Sequence, residues 1–190
     1  TIVVGRDTRR SGDMLGAALS AGIMSAGGTV LEAGVIPTPG VALLVRELRA
    51  AGGAVISASH NPPEYNGIKL FDSQGFKLPD AVEDEIERFI AAGGLEGQAT
   101  PESPMPSGGS LGVIVPLDEA QEMYIDHAVR SIEEQGISVA GLRIALDTGH
   151  GASSLTSPEA LRRLGAEVIV INDDYDGMDI NVQCGSTHLE

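Results

Sequence analysis

Three short apolar segments alternate with two stretches of helical periodicity in the first 57 residues, and this order constrains the fold more than any other feature. The order is strand, helix, strand, helix, strand, which predicts a mainly parallel sheet with helices on its faces. We therefore expect an α/β protein. The predicted strands are residues 1–5, 29–33 and 54–57, and the predicted helices are residues 12–26 and 41–51.

Turn and capping residues set the boundaries of these elements. Ser11 and Asp13 have N-cap side chains and are predicted to start the first helix. The segment Pro37-Thr38-Pro39 is typical of a turn before the second helix. The pair Gly52-Gly53 is predicted to end that helix before the third strand begins.

The rest of the chain predicts a hairpin, an acidic helix and a second strand–helix–strand unit. We divide it into a first domain (1–95), a linker rich in Gly, Pro and Ser (96–115), and an incomplete second α/β domain (116–190). The predicted elements are strands 68–71 and 76–78, helix 80–92, helix 117–134, strand 142–146, helix 158–164 and strand 166–171.

Charge and composition exclude several functions. The net charge of −15 argues against nucleic-acid binding, which requires clustered Lys and Arg. The single Cys184 excludes an internal disulfide framework and fits a reducing compartment. There is no apolar stretch of the roughly 20 residues that span a bilayer. We expect a cytoplasmic protein with no membrane or nucleic-acid partner.

The polar segment after the third predicted strand is the strongest candidate site. Residues 57–62, Ser-Ala-Ser-His-Asn-Pro, are called the serine loop below. Ligands of open α/β sheets bind at the carboxyl ends of strands. A serine hydroxyl there is a usable nucleophile, Asn61 and backbone N–H groups are able to hold an anion, and Lys69 is a nearby cation or proton-transfer group. The same residues also suit an ordinary turn.

Several motifs resemble those of the α-D-phosphohexomutase family. The serine loop followed by residues 66–69 (Asn-Gly-Ile-Lys) resembles the phosphoserine loop of that family. Asn181 and residues 185–188 (Gly-Ser-Thr-His) resemble the branch that acts on amino-sugar phosphates. The likeness covers essentially the whole chain. Further matches are residues 5–12 (Gly-Arg-Asp-Thr-Arg-Arg-Ser-Gly), 36–39 (Ile-Pro-Thr-Pro) and 147–152 (Asp-Thr-Gly-His-Gly-Ala).

The resemblance implies a fold, a reaction and a set of site residues. It implies a phosphoglucomutase-like first domain and the interconversion of glucosamine 6-phosphate and glucosamine 1-phosphate, for cell-wall precursors, through a 1,6-bisphosphate. Ser59 would carry the phosphate, Lys69 would be the general acid/base, and His60 a neighbouring catalytic residue. Mg²⁺ would bind the phosphate on Ser59. A homodimer is left open.

The resemblance also implies residues that these 190 positions do not contain. The family's metal loop, Asp-Gly-Asp-Gly-Asp-Arg, would follow residue 190, so the aspartate ligands of Mg²⁺ are expected beyond it. An arginine of the family's opening segment would precede Thr1. We expect an N-terminal part of a longer enzyme with negligible mutase activity by itself.

Some residues and functions keep two interpretations. Arg6 and Arg9 either support the serine loop, with Asn61, or form ion pairs with Asp7 or Asp13. The function is alternatively that of a mutase for glucose or mannose phosphates, or of a non-catalytic phosphosugar-binding module.

Overall fold

A five-stranded sheet lies at the centre of the first part of the chain. The computed structural model describes residues 1–94, 105–174 and 176–188. The strand order is β4-β3-β1-β2-β5, and only β4 runs antiparallel to its neighbour. The predicted α/β class with a mainly parallel sheet is confirmed. The strands are β1 (Ile2–Arg6), β2 (Val30–Val35), β3 (Gly52–Ile56), β4 (Ile68–Phe71) and β5 (Ile114–Pro116).

Helices cover both faces of this sheet, and side chains alternate between them along each strand. Val3 is fully buried among residues of α2 (Thr38–Glu47), whereas Val4 faces α1 (Ser11–Ser25). Burying one such side chain contributes about 1.5–3 kcal/mol. The two hydrophobic clusters hold the strand ends in place. The helix α3 (Asp80–Ala91) follows β4 and has no buried residue of its own.

The element boundaries differ from the sequence prediction at several places. The N-cap residue of α1 is Arg10, and neither Ser11 nor Asp13 caps the helix. The helix α2 begins at Thr38, inside the predicted turn, with Pro39 in its first turn. Proline is tolerated there because backbone N–H groups of the first turn have no partner within the helix, so the missing N–H costs nothing. Of the second predicted hairpin strand, the structure has one bridge, between Phe71 and Lys77.

The pair Gly52-Gly53, predicted to separate two elements, belongs to β3. A Cβ at Gly53 would lie 2.6 Å from Cγ2 of Val45 and 3.3 Å from the carbonyl oxygen of Val3. Glycine is therefore needed for the close approach of α2 to the sheet rather than for a break in the chain.

The residues assigned to the linker and to the start of the second domain contribute to the first sheet. The strand β5 pairs in parallel with β2. The next helix, α4 (Ala120–Glu133), places Ala120 in the hydrophobic cluster beneath α2. Residues 96–104 of the predicted linker lie outside the described residues. The domain boundaries themselves stay a prediction.

A second, two-stranded parallel sheet follows. It contains β6 (Arg143–Asp147) and β7 (Glu167–Ile171), joined through α5 (Ser157–Arg163). Arg163 of α5 pairs with Glu122 and Asp126 of α4 at 2.8 and 2.9 Å. The helix α4 therefore contacts β2 of the first sheet and α5, the helix that joins the strands of the second sheet. Within the described ranges, every helix is too short or too polar to be a transmembrane segment.

We predict that Gly53→Ala lowers the free energy of unfolding by about 1–3 kcal/mol, because the new methyl group overpacks the interface between β3 and α2. Urea denaturation followed by circular dichroism measures the change. Gly22→Ala in α1 is the matched control, since nothing lies within 4 Å of its Cβ position. That substitution is expected to stabilise the helix by about 0.5–1 kcal/mol. Similar effects of both substitutions would contradict the packing argument.

Candidate functional site

Ser59 lies in the serine loop directly beyond the carboxyl end of β3. The residue is exposed and has a φ of 57°, in the left-handed region. A residue other than glycine costs roughly 1–2 kcal/mol in this conformation. Such strain persists only where the surroundings hold it, so the contacts of the loop backbone decide how the serine is presented.

A buried arginine holds the inner side of the loop. The Arg9 guanidinium donates to the carbonyl oxygens of Ser59 at 3.0 Å and Asn61 at 2.7 Å, and also to that of Pro62. The side chain of Arg9 is 0% exposed. Hydrogen bonds from a charged donor are stronger than neutral ones. The loop carbonyls are therefore fixed toward the protein interior.

Asp7 compensates the charge of Arg9. Its Oδ2 accepts from Arg9 Nε at 3.0 Å, and its Oδ1 accepts from the Arg9 backbone N–H at 3.0 Å. Both side chains are buried, and a buried pair is tolerated when its polar atoms are hydrogen-bonded. The two interpretations of Arg9 are thus both realised, since it pairs with Asp7 and contacts the serine loop.

A second donor reaches the same carbonyls from the far end of the chain. Asn181 Nδ2 donates to the carbonyl oxygens of Ser59 at 3.0 Å and Asn61 at 3.1 Å. The residues are more than 100 positions apart in sequence, and no local pattern predicted this contact. The only sequence signal was the presence of Asn181 among the residues that resemble the mutase family.

Two further polar side chains shape the loop from within. The buried Ser57 hydroxyl accepts from the backbone N–H of Ser59 at 3.1 Å. Asn66 accepts from the Gly67 N–H at 2.8 Å and donates to Ser11 Oγ at 2.9 Å, which ties the end of the loop region to α1. The hydroxyl of Ser11, which was predicted to cap α1, therefore accepts a hydrogen bond from Asn66 instead.

The other predicted site residues have different positions. His60 is exposed in the loop, and Asn61 contacts Arg9 through its carbonyl rather than its side-chain amide. Lys69 is half-buried in β4, paired in register with Val55 of β3, so it lies beside the start of the loop. Arg6 follows the second of its two interpretations: it pairs with Asp13 at 2.6 Å and donates to the Asp7 carbonyl, not to the serine loop.

The loop after β6 is built around Asp147. Its carboxylate accepts from the backbone N–H groups of Gly149 at 2.8 Å and Gly185 at 2.9 Å and from Asn172 Nδ2 at 3.0 Å. Burial would raise the pKa of Asp147, but the hydrogen bonds from Asn172, Gly185 and Gly149 outweigh it and lower that pKa. The ionised carboxylate therefore organises this loop.

His150 and Cys184 lie near this loop and carry no clear catalytic role. The backbone carbonyl of His150 accepts from Thr8 Oγ1 at 2.6 Å. This bond joins β6, α5, β7 and the segment after them (residues 143–174 and 176–188, called the second unit below) to the residues that follow β1. Burial raises the pKa of the Cys184 thiol, and the carboxylates of Asp147 and Asp179 raise it further. A thiol with a raised pKa is a poor nucleophile at neutral pH, which argues against a catalytic role for Cys184.

The fold and the loop together define the class: an α/β protein with an exposed serine beyond the carboxyl end of a strand of its main sheet. The backbone of that serine is held by Arg9 and Asn181. Comparison with known proteins is more specific. Residues 1–96 match the sequence profile of phosphoglucomutase/phosphomannomutase, alpha/beta/alpha domain I. The chain therefore belongs to the phosphoglucomutase/phosphomannomutase family.

Curated relatives and a solved structure support this assignment. The chain is 53% identical over 189 residues to a phosphoglucosamine mutase of Symbiobacterium thermophilum and 51% identical over 191 residues to one of Moorella thermoacetica. It covers 40% of the length of each relative. A phosphoglucomutase/phosphomannomutase family protein of Burkholderia thailandensis superposes with a TM-score of 0.71 at 26% identity, over 93% of this chain and 36% of that one.

We predict that Arg9→Met lowers the free energy of unfolding by about 3–5 kcal/mol, because it leaves Asp7 buried without its counter-charge. The matched control is Arg6→Met, which removes a partly exposed ion pair and is expected to cost about 0–1 kcal/mol. Denaturant titration of both variants measures the difference. Comparable losses from the two substitutions would refute the structural importance assigned to the buried pair.

Proposed function

We propose that the chain carries the phosphoserine of a mutase that interconverts glucosamine 6-phosphate and glucosamine 1-phosphate. The observation that carries the proposal is the presentation of Ser59, exposed and left-handed, on a loop whose carbonyls are held from behind. The relatives at about 50% identity are named phosphoglucosamine mutase, which supports the amino sugar as substrate. We also propose residues 1–95 as the phosphoserine domain and residues 116–190 as part of a second domain joined by a linker.

In this proposal, the Oγ–P bond of phosphorylated Ser59 breaks as an oxygen of the sugar monophosphate forms a new bond to phosphorus. The sugar hydroxyl loses its proton, and the serine oxygen regains one. The bisphosphate then reorients in the site, so that its other phosphate faces Ser59, and transfers that phosphate to the Ser59 oxygen. Such transfers depend on positioning and charge neutralisation more than on covalent chemistry by other residues.

Lys69 and His60 are the proposed proton-transfer and charge-neutralising groups. Lys69 lies in β4, opposite Val55, and thus next to the strand end from which the loop starts. A cationic amine beside a phosphate stabilises the charge that develops during transfer. His60 follows Ser59 directly and is exposed on the same loop. Asn61 and Arg9 keep the loop backbone in place, with Asn61 contributing its carbonyl group.

The expected Mg²⁺ would bind a phosphate oxygen on Ser59, where it would neutralise charge during transfer. Magnesium requires about six oxygen ligands, and Asp7 is already engaged by Arg9. The described residues would therefore supply one ligand of the magnesium ion, the phosphate oxygen on Ser59. His150, Asp174 and Asp179 hold ligand atoms within 4.8 Å of one another. A set that includes imidazole is not one that magnesium favours.

We predict that incubation of a complete enzyme that carries this sequence with glucosamine 1,6-bisphosphate adds one phosphate to the protein and that the phosphate lies on Ser59. Intact-mass and peptide mass spectrometry measure the modification. Ser59→Ala is expected to abolish it, because the acceptor oxygen is gone. Ser57→Ala is expected to reduce it less, since Ser57 acts through a hydrogen bond to the Ser59 N–H.

The same variants test the whole reaction in a complete enzyme that carries this sequence. There, Ser59→Ala is expected to remove nearly all mutase activity. Activity at the unmodified level after Ser59→Ala would overturn the assignment. Comparing glucosamine, glucose and mannose phosphates as substrates distinguishes the sister mutases. A protein that binds the sugar phosphates without any transfer would point to the non-catalytic module instead.

A further inference from the structure

Two donors from opposite ends of the chain converge on the same pair of carbonyl oxygens in the serine loop. Arg9 reaches the carbonyls of Ser59 and Asn61 from beyond β1, and Asn181 reaches the same two atoms from the segment after β7. A carbonyl oxygen has two lone pairs, so each can accept from both donors. The two contacts are therefore compatible rather than alternative.

We propose that Asn181 is a positioning residue for Ser59, so that docking of the second unit completes the geometry of the phosphate carrier. The proposal rests on the proposed function for its catalytic consequence, and on geometry alone for its effect on the loop. Asn181 does not contact the reacting oxygen. It acts through the Ser59 carbonyl, and with Arg9 it fixes the orientation of the peptide group after a left-handed residue.

Asn181 is itself held by the second unit. Its backbone N–H donates to the Gly149 carbonyl at 3.0 Å, and Asp147 accepts from the N–H of Gly149 at 2.8 Å. Asn181 also has a left-handed φ of 60°, which asparagine adopts more readily than most residues. The loop after β6 therefore determines where the Asn181 amide lies.

Further contacts fix the second unit against the end of β1. Thr8 Oγ1 donates to the His150 carbonyl at 2.6 Å, and the Arg10 N–H donates to the Gly177 carbonyl at 3.0 Å. A Cβ at Gly177 would lie 2.9 Å from the backbone nitrogen of Arg10, so the two segments meet at close range. Docking and loop geometry are thus connected through neighbouring residues of the same short segment, residues 7–10.

Substitution of Asn181 by glycine tests the proposal, because glycine keeps the left-handed backbone and removes only the side-chain donor. Gln183→Gly is the matched control. Gln183 also has a positive φ, of 54°, and lies two residues further along the same segment with an exposed side chain. Hydrogen exchange of the Ser59 and Asn61 amides, measured on the 190-residue chain by NMR, reports opening of the loop, because these amides donate to Ser57 Oγ and to the Ala58 carbonyl within it.

We expect Asn181→Gly to speed exchange of these two amides about 10-fold, which corresponds to a loss of about 1.4 kcal/mol for the two hydrogen bonds together. We expect Gln183→Gly to leave them unchanged. In a complete enzyme that carries this sequence, the rate of phosphate transfer from glucosamine 1,6-bisphosphate to Ser59 should fall about 10-fold in the first variant only. Unchanged exchange in Asn181→Gly, or equal acceleration in both variants, would overturn the positioning role.

A further variant and the unmodified chain separate the possible failures. Asn181→Asp has a similar size and replaces the donor by an acceptor, so it should loosen the loop even where the glycine variant fails to fold. Circular dichroism establishes folding for each protein. Absence of transfer to Ser59 in a complete enzyme that carries the unmodified sequence would remove the proposed function, while the exchange data on the 190-residue chain would still decide the role of Asn181.

Discussion

The buried ion pair between Asp7 and Arg9 is the interaction on which the site depends. A guanidinium that is 0% exposed requires compensation of its charge and partners for its N–H groups. Asp7 supplies the first, and the carbonyls of the serine loop supply much of the second. The cost of burying Arg9 is thus offset only when the loop has this shape, and the loop has this shape only when Arg9 is present.

The arginine side chain suits this position in a way that lysine would not. Its planar group directs several donors at once, so Nε contacts Asp7 while the terminal nitrogens contact the loop. Parallel pairing of β1 with β3 brings residues 7–9 and the serine loop to the same edge of the sheet. Sheet topology therefore provides the proximity, and the guanidinium converts it into a fixed backbone.

The sequence predicted much of the fold and only part of the site. The alternation of strands and helices followed from hydrophobic periodicity, and Ser59 followed from the motif around it. The requirement for glycine at position 53 of β3 could not be predicted, because it comes from a methyl group of Val45, which lies in α2. The contact between Asn181 and Ser59 depends on tertiary docking, which residue spacing does not encode.

The distribution of contacts in the loop separates two requirements on a phosphate-carrying serine. The hydroxyl must be accessible to a substrate, and its backbone must stay fixed while a charged group is gained and lost. Here the carbonyls of Ser59 and Asn61 face Arg9 and Asn181, the Ser59 N–H faces Ser57, and the Ser59 residue is exposed. These hydrogen bonds use the backbone of Ser59 and Asn61 and leave the Ser59 hydroxyl for the reaction. Preorganisation of this kind keeps reorganisation of the loop out of the transfer step.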